Sequence, residues 1–213
     1  MSDHDGYDPL AVKRVYDGMA GEYAVRFGSE LADADPGDPD IDFLAAAADS
    51  FPDGYVVDLG CGPAQVSRFL IERGRSVVGI DFAPGMLTEA RRLVPGAGFV
   101  AGDLLDLPLR DGSCAAVVAS YSLHHLPKAR LAAALAGIHR VLAPGGVIVV
   151  ITHGGSGEER LDKPEGKVLV SHYEPNELAG RLGTAGFTPE LIRTRPPRPG
   201  EYPAEKVRIT ARR

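Results

Sequence analysis

The chain has 213 residues, 44% hydrophobic and 24% charged, with a formal net charge of −6 and a pI near 5.5. These values exclude a disordered or fibrous chain and argue against a surface that must neutralise nucleic-acid phosphates. They suit one domain around a single core. No apolar run approaches the roughly 20 residues that a bilayer span needs, and the acidic start MSDHDGYDPL lacks an apolar signal core. A cytoplasmic protein bound to neither membrane nor nucleic acid is therefore expected, as a monomer or homodimer. Its cysteines, Cys61 and Cys114, give no disulfide framework to read.

In chain order, Val12, Tyr16, Met19, Tyr23 and Phe27 recur at helical spacing between Asp8 and Phe27, and Gly18 and Gly21 weaken that helix. The turn-rich ADADPGDPD follows, then IDFLAAAADSF, whose alanines predict a second short helix. From Tyr55 onward, YVVDL, SVVGI, AGFVA, CAAVVAS and GVIVVIT read as five strands alternating with helical stretches. Each is apolar enough for burial on both faces of a parallel sheet. Before the fifth, Leu131, Leu135, Ile138 and Leu142 keep a helical period that Pro144, Gly145 and Gly146 should stop. A long polar loop is expected from His153 to about His172, then a helix opened by Pro175 and closed by Gly186. FTPELIRTR and EKVRITARR close the chain as two β-rich runs, and the short proline-rich link between them permits an antiparallel pair.

The strongest local signal is VVDLGCGPA, where a strand ends in a glycine turn leading into a helix. Gly60 and Gly62 let the backbone approach a ligand, and the following helix start offers N–H groups to polar atoms. Asp81 ends the next strand about 20 residues beyond these glycines, where a carboxylate accepts both hydroxyls of a ribose or, alternatively, caps a helix. Asp103 repeats the arrangement after the third strand and suits the exocyclic amine of an adenine.

In order and spacing, VVDLGCGPA, VVGIDFAPGML, FVAGDLLDLPL, ASYSLHHL and RVLAPGGVIVV resemble the successive motifs of class I S-adenosylmethionine-dependent methyltransferases. The resemblance covers residues 8–152 and implies a three-layer α-β-α Rossmann-like fold, with a mostly parallel seven-stranded sheet and an antiparallel C-terminal strand. It implies a single domain over 1–213: an N-terminal helical lid (1–50), a cofactor core (55–152), and a substrate loop, helix and hairpin (153–213). S-adenosyl-L-methionine is the implied cofactor, with Asp58, Gly60, Cys61 and Gly62 around its methionine end, Asp81 on the ribose beside Phe82 and Met86, and Asp103 with Leu104 at the adenine. Ser120 and Tyr121 fall beside the amino-acid part. Tyr16 and Tyr23 resemble lid tyrosines whose faces lie near the sulfonium, although packing also explains them. Where the family often has a third glycine, this chain has Ala64, expected to be tolerated as helix-compatible.

The expected reaction is methyl transfer to an oxygen, nitrogen or carbon of a small-molecule substrate, with no metal. His124 and His125 follow the fourth strand and are the candidate catalytic bases, adjacent residues of which only one is expected to face the cleft. His153, His172 and Tyr173 flank the long loop and are the candidate substrate-binding residues. Arg160, Lys163 and Lys167 interleave with acids and read as a solvated surface. Two other functions share the glycine turn: an NAD(P)-dependent oxidoreductase, against which the missing final glycine of GxGxxG argues, and a non-catalytic adenosylmethionine-binding module.

Overall fold

The computed structural model describes residues 7–28, 31 and 37–213; most of ADADPGDPD and of the N-terminal decapeptide lies outside them. Helix α1 (Pro9–Phe27) opens on Asp8, whose carboxylate accepts the Leu10 N–H at 2.9 Å, with Pro9 pre-set in the first turn. Helix α2 (Pro39–Asp49) starts the same way, with Asp38 accepting from the Asp40 N–H at 2.8 Å.

Strand and helix then alternate as β1 (Tyr55–Leu59), α3 (Gln65–Glu72), β2 (Ser76–Asp81), α4 (Pro84–Leu93), β3 (Gly98–Ala101), β4 (Cys114–Ser120), α5 (Leu131–Val141) and β5 (Leu142–His153). The chain continues through β6 (Glu158–Lys163), β7 (Gly166–Ser171), α6 (Pro175–Thr184), β8 (Thr188–Arg195) and β9 (Lys206–Arg212). The main sheet has seven strands in the order β3-β2-β1-β4-β5-β9-β8, with β9 antiparallel to both neighbours. The expected fold class is therefore the observed one.

Alternation along the strands divides the core into two layers. Val56, Ala116, Val118, Val147 and Val149 pack with Phe43 and Leu44 of α2 and Phe69 and Leu70 of α3. Their neighbours Val57, Val117, Ile148 and Val150 pack on the opposite face with Leu135 and Ile138 of α5 and Leu178 and Leu182 of α6. At 25 cal/mol per Å², each fully buried aliphatic side chain in these layers contributes about 1.5–3 kcal/mol.

Three expectations need correction. AGFVA is not buried on both faces: β3 is the outer strand, and Val100 is 40% exposed. The helix before β5 ends at Val141 rather than at Pro144, because Leu142 already pairs with Cys114 and the Pro-Gly-Gly stretch is taken up as a shift of register within the strand pair. The loop from His153 to His172 is largely a β-hairpin, β6 paired antiparallel to β7. Gly166, at φ +148°, follows the turn, and Val168, Leu169 and Val170 are buried, whereas charged, mostly exposed β6 carries no apolar pattern to betray its pairing.

Candidate active site

Carboxyl ends of the parallel strands form one edge of the sheet, and above it lies a cavity of about 750 Å³ roofed by α1 and the β6–β7 hairpin. That size falls within the roughly 300–1,000 Å³ of small-ligand sites. The hairpin rests on α1 where Gly18 leaves room for it, since a methyl group there would lie 2.7 Å from Glu165 Cγ.

The turn after β1 carries φ of +74° at Gly60 and +50° at Gly62. A side chain on Gly60 would meet Ser122 Cβ at 2.3 Å, so the β1 and β4 turns can touch only through a glycine. On Gly62 a Cβ would come no nearer than 4.0 Å to Gln65 and Tyr23, both cavity-lining residues. Ala64 is not simply a helix-compatible residue: it precedes α3 at φ +72°, a left-handed conformation that costs an L-residue roughly 1–2 kcal/mol.

Asp81 and Asp103 line the same cavity. Asp81 accepts the Gly62 N–H through Oδ2 and the Ala83 N–H through Oδ1, each at 2.9 Å, which ties the ends of β1 and β2 together. The residue in the cap position of α4 is Ala83, so Asp81 is not that helix's N-cap. Burial raises the Asp81 carboxyl above its ordinary value, opposed by those N–H groups. Asp103 folds its own turn, accepting the Leu105 N–H at 2.8 Å. Phe82, Met86, Leu104, Ser120 and Tyr121 complete this wall, and Tyr121 holds a left-handed φ of +50°.

Two expected cofactor residues sit beneath the cavity rather than on it. Asp58 is 1% exposed, accepts from Ser67 Oγ at 2.6 Å and anchors α3 to β1. Its burial pushes the carboxyl up to about 7. Cys61 is buried against Gly79, where a Cβ would approach its Sγ to 3.0 Å.

Both His124 and His125 line the cavity, their ring centres 4.0 Å apart on a single 3-10 turn, contrary to the expectation that only one would face it. His125 Nδ1 lies 2.9 Å from the Leu169 carbonyl, which can only accept, so this nitrogen carries the proton. Burial holds the His125 pKa down at about 4, so the neutral ring presents Nε2 as acceptor to the Tyr16 hydroxyl at 2.6 Å and to His124 Nε2–H at 3.0 Å. The lone pair of His124 then resides on Nδ1, which is buried and has no hydrogen-bond partner among the described residues. Burial likewise holds His124 below its ordinary value and keeps the Tyr16 hydroxyl protonated. Tyr16 meets Tyr23 edge to face at 6.0 Å.

His153 lines the cavity, whereas His172 and Tyr173 do not. His172 lies behind it, within 3.3 Å of the Gly154 carbonyl and of Tyr202 Oη. Tyr173 is 1% exposed beneath α6, with the Lys128 ammonium 4.9 Å from its ring centre. Several lining residues escaped the sequence reading: Gln65, Lys163, Val168, Val170, Tyr202 and Lys206. Alternation in GKVLVS was the available signal for the hairpin valines. Lys206 was findable from topology, since an antiparallel strand begins at the edge where parallel ones end.

A family model described as a methyltransferase domain matches residues 56–146. Residues 56–146, from β1 into β5, are therefore similar to a methyltransferase domain. Malonyl-[acyl-carrier protein] O-methyltransferase of Serratia marcescens is 33% identical to this chain over 153 residues, 70% of this chain and 59% of that one. Trans-aconitate 2-methyltransferase of Methylobacterium nodulans is 34% identical over 152 residues, 69% of this chain and 54% of that one. The chain spans about half the length of the curated relatives it matches. Among solved structures, 1,6-didemethyltoxoflavin-N1-methyltransferase of Burkholderia thailandensis superposes with a TM-score of 0.71 at 22% identity, over 96% of this chain and 90% of that one, and shares the fold. Among the described residues, no helix is long and apolar enough to cross a membrane.

Proposed function

We propose that this protein moves a methyl group from S-adenosylmethionine to an oxygen, nitrogen or carbon of a small molecule. The observation that carries the reading is the convergence of the Gly60–Gly62 turn, Asp81 and Asp103 on one cavity. The wall fits the cofactor. Gln65 and Ser122 line it, and their Oε1 and Oγ are buried without hydrogen-bond partners among the described residues, while the Gly62 backbone is open to close approach. Asp81 would hold the ribose hydroxyls, Asp103 and Leu104 the adenine, and Gly60, Gly62 and Gln65 the amino-acid end. Similarity to trans-aconitate 2-methyltransferase, which is named for a small carboxylate, supports a small-molecule acceptor.

The chemistry supplied by the bound cofactor is an electrophilic methyl carbon on a sulfonium. Residues of the chain align the nucleophile and exclude water, which is most of what an in-line displacement needs from a protein. Tyr16 and Tyr23 offer electron-rich faces to a cation, a contact worth about 0.5–2 kcal/mol once desolvated. Where the nucleophile holds a proton, His124 accepts it: the ring is neutral and its Nδ1 lone pair is uncommitted, whereas the His125 acceptor nitrogen is already taken by Tyr16 and His124. His125, pinned by Leu169, positions His124.

Turnover of labelled methyl donor across a panel of metabolites tests this reading. On a protonated acceptor, His124→Gln is expected to lower kcat by about 10²–10⁴-fold, and a rate unchanged by that substitution removes the histidine from the mechanism. Absence of turnover on every panel member, with adenosylmethionine still bound, would favour a binding module instead.

A further inference from the structure

The cleft is a row of strand ends running from Asp103, after β3, to Lys206 at the start of β9. Among the described residues, three in its lining hold a buried polar atom without a hydrogen-bond partner: Gln65 at Oε1, Ser122 at Oγ and His124 at Nδ1. The first two stand at the glycine turn, since a Cβ on Gly62 would lie 4.0 Å from Gln65 Oε1 and one on Gly60 would lie 3.1 Å from Ser122 Oγ. His124 Nδ1 is left for the other ligand. We propose that the methyl acceptor is an uncharged hydroxyl compound with an apolar body, its O–H donated to His124 Nδ1, and that the product is a methyl ether. The inference rests on the methyl-transfer reading and specifies its acceptor.

His124 is 4% exposed and sits on the 3-10 turn after β4. Its Nε2 lies 3.0 Å from His125 Nε2, and His125 commits its Nδ1–H to the Leu169 carbonyl at 2.9 Å. The hydrogen between the two rings therefore belongs to His124 Nε2, and the His124 lone pair is on Nδ1. Leu169 belongs to the hairpin, and Tyr16 Oη, 2.6 Å from His125 Nε2, belongs to α1, so both elements of the roof hold the ring pair in place. A buried acceptor nitrogen without a donor is costly, and a ligand O–H removes that cost. An ether or a carboxylate would offer Nδ1 only further lone pairs.

The roof decides the rest of the molecule. Val12 and Val15 of α1 and Leu161, Val168 and Val170 of the hairpin line the cavity, and a sugar or a polar peptide would leave its own polar groups unsatisfied against them. Arg26, Lys163 and Lys206 also line it, Lys206 in an ion pair with Glu201 at 4.0 Å. These cations, with a sulfonium in the same cavity, oppose a protonated amine as the acceptor. In the transfer, the hydroxyl oxygen bonds to the methyl carbon through one of its lone pairs, and the bond from that carbon to sulfur breaks with both electrons left on sulfur. The hydroxyl proton passes to His124 Nδ1. The resulting imidazolium donates more strongly from Nε2 to His125, and the proton leaves to solvent with the products.

Isothermal titration into the protein saturated with S-adenosylhomocysteine tests the assignment, using phenol, its near-isostere fluorobenzene, which has no proton to donate, and benzylamine, a cation at neutral pH. Phenol is expected to bind at least about tenfold more tightly than either comparison probe. His124→Leu should abolish the preference for phenol over fluorobenzene, whereas His124→Asn, whose carboxamide oxygen reaches the place of Nδ1, should keep it. Cooperative thermal unfolding reports that both variants are folded, and the ranking of the probes on the wild type depends on neither. Fluorobenzene or benzylamine binding as tightly as phenol, no probe binding, an unchanged preference in folded His124→Leu, or its loss in folded His124→Asn would overturn the acceptor class and leave the methyl-transfer reading standing. Failure of the wild type to bind S-adenosylhomocysteine would overturn both.

Discussion

The two halves of the cleft are held by different means. At the glycine-turn end, the groups that face the ligand are fixed by backbone: Asp81 is clamped by the N–H groups of Gly62 and Ala83, and Gly60 touches Ser122 with no room for a side chain. At the Lys206 end, side chains from distant segments hold one another: Tyr16 of α1 bonds to His125, His125 to the hairpin carbonyl of Leu169, and Lys206 to His153. A site fixed by backbone tolerates change in the side chains around it, whereas one built from side chains is altered by replacing any of them. Under the proposed reading, recognition of a shared nucleoside falls to the first design and choice of acceptor to the second.

The largest test of that contrast is Gly60→Ala. Its methyl group would overlap Ser122 Cβ at a backbone φ of +74°, so the β1 and β4 turns must separate. Loss of S-adenosylhomocysteine affinity by about 100-fold or more is expected, with stability lowered by roughly 1–3 kcal/mol. Calorimetry and denaturant unfolding read the two effects, and wild-type affinity in the variant would contradict the backbone-held account.

The halves also titrate in opposite senses. His124, His125 and His153 have depressed values, the last two to about 4 and about 3, so the stability tied to their neutral forms is complete above the unfolded value near 6.5 and is lost as the pH falls toward the folded values. Asp58 and Asp81 are raised, Asp58 to about 7, so their contribution is complete below the unfolded value near 3.8 and is lost as the pH rises toward the folded values. Each group changes stability by about 1.4 kcal/mol per pH unit within its window. Three imidazoles against two carboxylates make net loss on acidification the expected outcome. Thermal unfolding from pH 4.5 to 7.5 should show a steeper acid loss in Asp58→Asn and a shallower one in His125→Gln, and parallel profiles for all three proteins would refute the linkage.

The smallest effect concerns Ala64. Replacement by glycine relieves about 1–2 kcal/mol of left-handed strain, but gives up a buried methyl worth about 0.8 kcal/mol and adds unfolded-chain entropy of about 0.4–1 kcal/mol. Ala64→Gly should therefore change stability by less than about 0.5 kcal/mol, whereas Ala90→Gly, at a buried helical position, should cost about 1 kcal/mol or more. Equal losses at the two sites would show that the turn stores no strain.

The same division governs what could be read in advance. Strand ends β1 to β4 are local in sequence, so short apolar runs followed by Gly60, Asp81 and Asp103 marked, from contiguous motifs, residues that line one cavity. Lys206 and the hairpin valines reach the cavity only through topology: an antiparallel strand starting beside His153, and β7 pairing with a charged partner that carries no apolar alternation. Asp58 and Cys61 belong to the legible motif yet support the turn from below, because alternation along β1 and the tightness of the turn bury them. The paired engagement of His124 and His125 was hidden because adjacent residues ordinarily diverge, whereas here their ring centres lie 4.0 Å apart.

The most direct test of the account is the affinity of S-adenosylhomocysteine for the wild type, Asp81→Ala and Asp103→Ala, measured by titration calorimetry at one pH and salt concentration. Micromolar binding to the wild type, weakened about 100-fold by Asp81→Ala and about tenfold by Asp103→Ala, is the expected result. Undiminished binding in Asp81→Ala would contradict the claim that this strand end grips the ribose.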